Sequence, residues 1–470
     1  MTAYLDHMER VNPRVNAIVV LRPREELMAE AAAKDDLLDQ GQRQGWMHGF
    51  PHAVKDLADV AGMATTAGFF RPPFLAAVAT TDELFVARLR RAGAIFIGRT
   101  NTPELGLGSH TYNRVYGVTG NAYDPTRSAG GSSGGAAVAV ALRMVPVADG
   151  SDFMGSLRNP PGWNNVFGLR PSVGRVPSGG PELFCSQGGV EGPIARTATD
   201  LAMLLHTMAG YDARSPLSLD PGTVDGSAEV ARRTGRIAWL GDLGGYLPME
   251  PDVLRVTSAA LADFEHLGFE VTTLDELPAG DTFRGNQDLW PTWLTYRHWL
   301  AGSGLAALYE QPAMRAALKP EALFEVEGLL HGPDGGGPLS ALDVFTASVR
   351  RSDLYLAFQS LFETYDFAVL PTAQVMPFPV EETWPREICG VPMSSYHRWM
   401  EVAAIGTLIN APTLALPAGF STDGLPIGLQ VIGPHHADAA LLSLALAWEE
   451  QTQWVRRRPP PMLGKKPCRK

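Results

Sequence analysis

Two serine-bearing loops, each followed by a turn or helix-like stretch, carry the clearest chemical signal in this sequence. The first is AGGSSGG at residues 129–135, which runs directly into the small apolar residues AAVAVALRM. The second follows MVPVADGS and presents Ser156, 24 positions after Ser132. Backbone N–H groups at the start of a helix lack intrahelical partners and can stabilise a developing oxyanion. The pattern therefore favours a serine nucleophile over a flexible Gly/Ser linker, which would continue into polar residues.

A serine nucleophile needs a base, and the sequence offers two kinds. Histidine is the usual partner, and His48, His52 and His110 are the nearest candidates, although no GxSxG elbow surrounds the serines. Lys55, in the mostly apolar PHAVKDL, is the other candidate because desolvation favours the neutral amine. Adjacent strand residues point to opposite faces, so we expect Asp56 to face away from Lys55. A phosphate-binding loop is disfavoured because no GK[ST] sequence follows the glycines.

The elements that must position these residues alternate along the chain. Strand patterns such as PHAV, AIFIG, RMVPVADGS, FAVLPTA, PTLALPAGF and IGLQVIG are separated by helical patterns, of which TTDELFVARLRRAG is the clearest. This alternation predicts an α/β protein with a single large domain over residues 1–470. We expect a central mixed, mostly parallel β-sheet covered by helices on both faces. The Pro-rich, basic residues 456–470 are interpreted as a flexible tail.

Composition argues against several classes of function. The net charge of −11 and a pI of about 5.5 speak against nucleic acid or an anionic membrane as a partner. The three cysteines form no CxxC pair, so neither a disulfide framework nor a zinc site is indicated, and Cys185 and Cys389 are predicted to be buried. No signal-peptide pattern and no apolar run of about 18 residues is visible. We therefore expect a cytoplasmic protein.

Several stretches of the chain resemble the amidase signature family, the serine hydrolases with a Ser-cisSer-Lys triad. They are FPHAVKDLADVAGMATTAGF, GAIFIGRTNTPELG, SAGGSSGGAAVAVA, DGSDFMGSLRNPPGWNNVFGLRPSVGRVP and LPAGFSTDGLPIGLQVIGP. The resemblance extends over about residues 5–455 and is weakest at 212–367. That middle region is where this family usually varies its substrate specificity. The resemblance implies the amidase signature fold.

The resemblance also implies a role for individual residues. Ser156 would be the nucleophile, Lys55 the base and Ser132 the bridging serine, with a cis peptide bond between Gly131 and Ser132. The oxyanion hole would be formed by the backbone N–H groups of Phe153, Met154, Gly155 and Ser156. Gly131, Ser133, Asp152 and Arg158 are interpreted as scaffold near the site. Met154 departs from the family, which usually has glycine there, and it would narrow the rim with an apolar side chain.

The substrate class is inferred from apolar residues near these loops. Phe153 and Met154 flank the predicted oxyanion hole, and the motifs show no charged anchor for a free carboxylate. Five aromatic residues are candidates for the substrate pocket, although core packing is the default for aromatic residues at helical spacing: Trp290, Trp293, Tyr296, Tyr396 and Trp399. These features predict a small-molecule substrate that is hydrophobic and uncharged, an amide, anilide or carbamate.

The sequence thus predicts an amidohydrolase that needs no metal and no other cofactor and works as a monomer or homodimer. Two alternatives stay open. One is the A subunit of a glutamyl-tRNA amidotransferase, which works with partner subunits. The other is a catalytically inactive binding homologue, against which the complete set of Lys55, Ser132 and Ser156 argues.

Overall fold

Two β-sheets of unequal size and two short hairpins form the framework of the molecule. The computed structural model describes residues 1–72, 74–75, 77–185, 187–222, 235–333 and 335–464. The strands within these ranges are β1 Ile18–Val19, β2 Pro51–Lys55, β3 Ile95–Thr100, β4 Tyr112–Asn113, β5 Gly117–Val118, β6 Val147–Asp152, β7 Phe167–Arg170, β8 Val190–Ala195, β9 Gly235–Trp239, β10 Phe269–Thr273, β11 Phe367–Pro371, β12 Glu387–Ile388, β13 Val391–Pro392, β14 Thr413–Phe420 and β15 Pro426–Ile432.

Helices flank the sheets and make this one α/β domain. They are α1 Thr2–Val11, α2 Arg24–Asp39, α3 Leu84–Arg91, α4 Gly134–Ala141, α5 Asn159–Trp163, α6 Ala198–Met208, α7 Pro251–Ala259, α8 Leu261–His266, α9 Asn286–Arg297, α10 Ser303–Tyr309, α11 Pro312–Arg315, α12 Pro320–His331, α13 Ala341–Phe362, α14 Ala404–Leu408, α15 Asp438–Thr452 and α16 Trp454–Arg457. Within the described ranges, no helix is both long and apolar enough to cross a membrane.

The large sheet has eight strands in the order β10-β9-β11-β15-β14-β7-β8-β6. Only β9 pairs in parallel, with β10 and β11, whereas the other pairings within this sheet are antiparallel. The prediction of a mostly parallel sheet is therefore wrong, and the sheet is mixed. Residues 421–425 alone connect β14 to β15, and a parallel pair would need a crossover of about a dozen residues or more.

The small sheet has the order β1-β3-β2 and carries Lys55 at the end of β2. Strands β2 and β3 run parallel, and α3 lies between them in the chain, as the TTDELFVARLRRAG pattern predicts. All five residues of β2 are buried. Helix α4 is also buried along its whole length. It packs on β6 and β8 of the large sheet and contacts all three strands of the small sheet, so it links the two sheets.

The main apolar core lies between the large sheet and the helices α6 and α15. Leu205 of α6, Leu429 of β15 and Trp448 of α15 are among its fully buried members. Apolar burial of this extent is the largest favourable contribution to folding. The same helices hold β7 and β14 in place, and these strands in turn support the loop that follows β6.

Two smaller expectations about the chain are wrong. Residues 456–464 are folded rather than a flexible tail, because Met462 is buried and the Arg458 carbonyl accepts a hydrogen bond from Tyr123. The remaining residues 465–470, with Cys468, lie outside the described ranges. Cys185 and Cys389 are exposed rather than buried.

Candidate active site

The side chain of Lys55 ends among three serine hydroxyl groups. Its Nζ lies 2.8 Å from Ser132 Oγ, 2.9 Å from Ser133 Oγ and 2.8 Å from Ser151 Oγ. Lys55 is 1% exposed. Three hydroxyl groups can satisfy the hydrogen bonds of either an ammonium group or a neutral amine, because a hydroxyl group both donates and accepts. No carboxylate of the described residues forms an ion pair with Lys55, so burial disfavours its charged form.

Burial is the main cause of the perturbed acidity of Lys55. It lowers the pKa of Lys55 from 10.5 to about 8, against the opposing influence of Glu191, Asp149 and Asp152. Asp56 does not contribute, because its carboxylate accepts a hydrogen bond from the Thr66 N–H at 3.0 Å. The expectation that Asp56 faces away from Lys55 agrees with this contact. At pH 7 about a tenth of Lys55 is then in the neutral form.

The loop before α4 delivers Ser132 and Ser133 to the lysine. The peptide bond between Gly131 and Ser132 is cis, as the resemblance implies. Ser133 is the N-cap residue of α4. A Cβ atom on Gly135 would lie 2.4 Å from the Asn101 nitrogen. Glycine is therefore required at the start of α4, because it lets the helix approach the end of β3 closely.

The loop after β6 presents Ser156 to a cavity. Strand β6 ends at Asp152, and Gly155 has a φ of 92°, which glycine adopts without strain. Ser156 is 8% exposed and lines the cavity together with Ser132 and Ser151. The Ser156 hydroxyl makes no hydrogen bond to any other residue in the described ranges, Ser132 included. Its oxygen is therefore available to a bound molecule.

Asp152 and Arg158 brace this second loop from inside. Arg158 donates from Nε and Nη2 to the two oxygens of Asp152 at 2.9 and 2.8 Å, and both side chains are fully buried. Burial alone would raise the pKa of Asp152, but Arg158 and Arg170 outweigh it and hold this pKa well below its usual range. The carboxylate also accepts the N–H groups of Gly155 and Leu157 at 2.9 and 3.0 Å.

This bracing changes the expected set of oxyanion donors. Four N–H groups were expected to form the oxyanion hole, but the Gly155 N–H is already paired with Asp152. The N–H groups of Phe153, Met154 and Ser156 find no acceptor elsewhere in the described residues. Three unpaired donors on one loop beside Ser156 are sufficient for an oxyanion hole.

None of the three histidines considered from the sequence lines the cavity. His52 is buried and contacts Asp149 at 2.9 Å, whereas His48 binds the Lys34 carbonyl. His110 binds Ser128, and burial lowers its pKa to about 4. A fourth histidine, His397, does line the cavity, but burial lowers its pKa to about 3, which makes it a weak base.

The cavity has a volume of about 400 Å³, and its lining is mixed, with slightly more apolar than polar surface. Met154 and Phe153 form part of its wall, and the Phe153 ring lies 5.7 Å from that of Trp293. Other large apolar side chains in the lining are Leu57, Leu105, Leu107, Val190, Leu300, Leu305 and Met400. A cavity of this kind gains most from apolar substrate surface.

Only one of the five predicted pocket aromatics lines this cavity, and it is Tyr396. The other four pack in an apolar core: Trp290, Trp293, Tyr296 and Trp399. The Trp399 ring stacks on Trp163 at 5.9 Å, and its N–H donates to a backbone carbonyl. The default interpretation of aromatic residues at helical spacing therefore describes these four correctly.

Charged groups at the cavity wall are the main feature that sequence reasoning missed. Arg297 lines the cavity and donates to Glu325 at 2.9 Å and to the Tyr396 hydroxyl at 3.0 Å. Glu191 lines it as well. The motifs showed no charged anchor for a free carboxylate, and they did not reveal that Arg297 and Glu191 line the cavity. Local sequence carries no sign of these contacts, because α9, α12 and β8 meet only in the folded chain.

Comparisons with known proteins place the chain in one family. The family model for amidases matches residues 1–442. An acylamidase of Rhodococcus erythropolis is 33% identical over 463 residues, covering 97% of this chain and 92% of that one. The A subunit of a glutamyl-tRNA(Gln) amidotransferase from Chloroflexus aurantiacus is 32% identical, covering 97% and 93%.

A solved structure shares the fold. It is a bacterial aryl acylamidase of the amidase signature enzymes, with a TM-score of 0.87 and 26% identity over 99% of this chain and 94% of that one. The chain therefore belongs to the amidase signature family, and it is a hydrolase of carbon–nitrogen bonds.

Proposed function

We propose that this chain hydrolyses hydrophobic, uncharged amides, anilides or carbamates through an acyl-enzyme formed on Ser156. The observation that supports it best is the 2.8 Å contact between Lys55 Nζ and Ser132 Oγ, at the floor of a cavity that Ser156 also lines. In this mechanism Lys55 is the base and Ser132 carries the proton between Lys55 and Ser156. Activated serines of this kind act by covalent catalysis.

The reaction begins with proton transfer along the serines. In the substrate complex the Ser156 hydroxyl must form a hydrogen bond to Ser132, which it lacks in the free enzyme. Ser156 Oγ then attacks the substrate carbonyl carbon and gives its proton to Ser132, whose own proton passes to neutral Lys55. The oxyanion is held by the N–H groups of Phe153, Met154 and Ser156. The proton then returns to the leaving nitrogen as the C–N bond breaks. Water attacks the ester on Ser156 by the same path and releases the acid.

The cavity wall supports a neutral, apolar substrate. Met154 and Phe153 place two large apolar side chains beside the oxyanion donors. Arg297 is compensated by Glu325, so a substrate carboxylate would meet no unpaired cation there. A carbamate presents the same carbonyl as an amide with an alkoxy group added, and it fits this site equally well.

A comparison of kcat/KM values tests the proposed substrate class. We expect an aryl anilide and an aryl carbamate to exceed acetamide and glutamine by at least about tenfold, since each buried methylene contributes about 0.8 kcal/mol. Met154→Gly should reduce this preference by opening the rim, while small activated esters still react. A preference of the wild-type enzyme for glutamine or acetamide would contradict the proposal.

The similarity to the A subunits of amidotransferases supports a second candidate, glutamine hydrolysis within a larger assembly. Met154, in the place of a family glycine, weighs against it because glutamine is small and polar. Turnover of an anilide by the purified chain alone would exclude the need for partner subunits. The same assay would exclude the inactive binding homologue.

A further inference from the structure

One face of a continuous helical segment forms a wall of the cavity. The segment runs from α9 through a π-helical turn, His298–Gly302, into α10. Its cavity-lining residues recur at helical spacing: Arg297, Leu300, Ala301, Gly304 and Leu305. Residues at this spacing lie on one side of a helix. Of these five, Gly304 is the one that contributes no side chain to the wall.

This wall extends from the oxyanion loop towards the mouth of the cavity. At its inner end the Arg297 guanidinium lies over the Phe153 ring, 4.6 Å from the ring centroid. Along the helix the exposure increases, because Arg297 is buried, Leu300 and Ala301 are partly buried, and Gly304 is exposed. A helix rises about 1.5 Å per residue, so Gly304 lies about 10 Å beyond Arg297. A substrate group that passes Gly304 is therefore on the order of 10 Å from the scissile carbonyl.

Neither backbone conformation nor packing explains why this position is glycine. Gly106 and Gly108, which also line the cavity, have φ angles of 69° and 95°, which favour glycine. Gly302 packs closely against α12, and a Cβ atom there would lie 2.6 Å from the Glu325 carbonyl oxygen. Gly304 has a helical backbone, and a Cβ atom there would meet no atom of the described residues within 4 Å.

Glycine also weakens the helix that contains it. It is among the poorest helix formers, and it increases the conformational freedom of the unfolded chain. Alanine would fit at Gly304 without a clash and would favour the helix. What a side chain at this position would occupy is space inside the mouth of the cavity.

We propose that Gly304 is a specificity-determining residue, whose missing side chain leaves room at the cavity mouth for a second large apolar group of the substrate. The inference rests on the proposed function, because it concerns the substrate of the Ser156 reaction. It narrows the substrate class to elongated molecules, with an aromatic ring or an alkyl chain about 10 Å from the scissile carbonyl. Leu300, Ala301 and Leu305 offer such a group apolar contacts.

The ratio of kcat/KM for elongated and small anilides, measured on Gly304→Leu, tests the proposal. Acetanilide is the small substrate. One elongated substrate carries a phenylhexanoyl group in place of acetyl, and the other carries a phenylbutyl group on the aniline ring. We expect the wild type to prefer at least one elongated substrate over acetanilide. Gly304→Leu should lower that ratio by about tenfold or more, which corresponds to the lost burial of about two methylene groups.

Two further variants separate the loss of space from damage to the helix. Gly304→Ala should change the ratio in the same direction but less, and neither Gly304 variant should melt below the wild type, because both new residues favour helix. Ser303→Leu is the matched control. It adds the same side chain to the neighbouring exposed residue, which does not line the cavity, and should leave the ratio unchanged.

Labelling of the nucleophilic serine gives a second readout that needs no amide turnover. A fluorophosphonate with a phenylalkyl chain and one with an ethyl group should label Gly304→Leu at a ratio of rates that is reduced like that of the anilides. A wild-type enzyme that is labelled but hydrolyses no anilide would contradict the proposed function, and the labelling ratio would still decide the role of Gly304.

Two results would overturn the inference. The first is a wild-type ratio in Gly304→Leu for both elongated anilides and for the labelling reagents. The second is an equal loss of rate on small and elongated molecules in Gly304→Leu, or the same change of ratio in Ser303→Leu, either of which would show a general disturbance of the helix.

Discussion

The two serine-bearing loops are built alike but hold their hydroxyl groups in opposite ways. In the loop before α4, Ser132 and Ser133 both contact Lys55. In the loop after β6, Ser156 has a hydroxyl that no other described residue binds, although its backbone is braced by Asp152. The serine hydroxyl groups of the first loop are thus hydrogen-bonded to Lys55, whereas the hydroxyl group of Ser156 is open to the cavity.

This difference separates two tasks that a single loop could not easily combine. A base must be desolvated and surrounded by partners, whereas a nucleophile must be reachable from the substrate. The glycine-rich first loop achieves the former by close packing of α4. The Asp152–Arg158 pair achieves the latter by fixing the backbone while the Ser156 side chain stays open.

The largest effect on activity, apart from loss of the nucleophile, is expected at Lys55. Lys55→Met keeps the unbranched side chain but removes the base, so kcat/KM for an anilide should fall by about 10²- to 10⁴-fold. In the wild type the rate should rise with pH as Lys55, with its pKa of about 8, loses its proton.

The cavity histidine provides the control for Lys55. His397→Gln should retain most of the activity, because a group with a pKa of about 3 contributes little as a base. Near-normal activity in Lys55→Met together with an inactive His397→Gln would show that the wrong base has been assigned.

The largest effect on stability is expected at Asp152. Asp152→Asn leaves Arg158 buried without its counter-ion, which should lower the free energy of unfolding by about 3–5 kcal/mol. Activity should fall as well, since the brace of the Ser156 loop is weakened. Asp212→Asn removes a similar partner from the exposed Arg214 and is the matched control, with little expected change in melting temperature.

The stability difference between Asp152→Asn and wild type should also depend on pH. The pKa of Asp152 is depressed in the folded state, so its stabilisation is fully present above the ordinary value of 3.8 and declines as the pH falls from there towards the lower folded-state pKa. Urea unfolding at pH 7 and pH 3 measures this. A difference in the free energy of unfolding between wild type and Asp152→Asn that is as large at pH 3 as at pH 7 would contradict the ion-pair explanation.

The smallest effect is expected at Ser151, which supplies one of three hydroxyl partners to Lys55. Ser151→Ala should lower kcat/KM by about two- to tenfold, the equivalent of one ordinary hydrogen bond. Ser132→Ala should cost far more, because its hydroxyl lies on the proton path. Equal effects at the two serines would mean that they only position Lys55.

Local signals were enough to predict much of this fold. Six strands lie in stretches with the strand patterns described above: β2, β3, β6, β11, β14 and β15. Helix α3 lies in the stretch TTDELFVARLRRAG, which has a helical pattern. Strand direction was predicted less well, because alternating helices and strands suggested parallel pairing. The short link between β14 and β15 already carried the opposite information.

The candidate site also contains residues that the sequence could identify and residues that it could not. Lys55, Ser132 and Ser156 stand in distinctive local sequences, so they could be singled out before the fold was known. Glu191 and Arg297 could not, because their place at the cavity depends on strand register and on helices that meet only after folding. The aromatic residues were ambiguous, since core packing and a pocket wall produce the same helical spacing.

The assignment of Ser156 as nucleophile is the central claim, and intact-mass measurement after treatment with a fluorophosphonate tests it most directly. Wild-type protein should gain the mass of one phosphonyl group, and peptide mapping should place it on Ser156. Ser156→Ala should gain no mass at the same reagent concentration and should lose nearly all hydrolysis while melting at the wild-type temperature. An adduct of equal yield on Ser156→Ala would contradict the account.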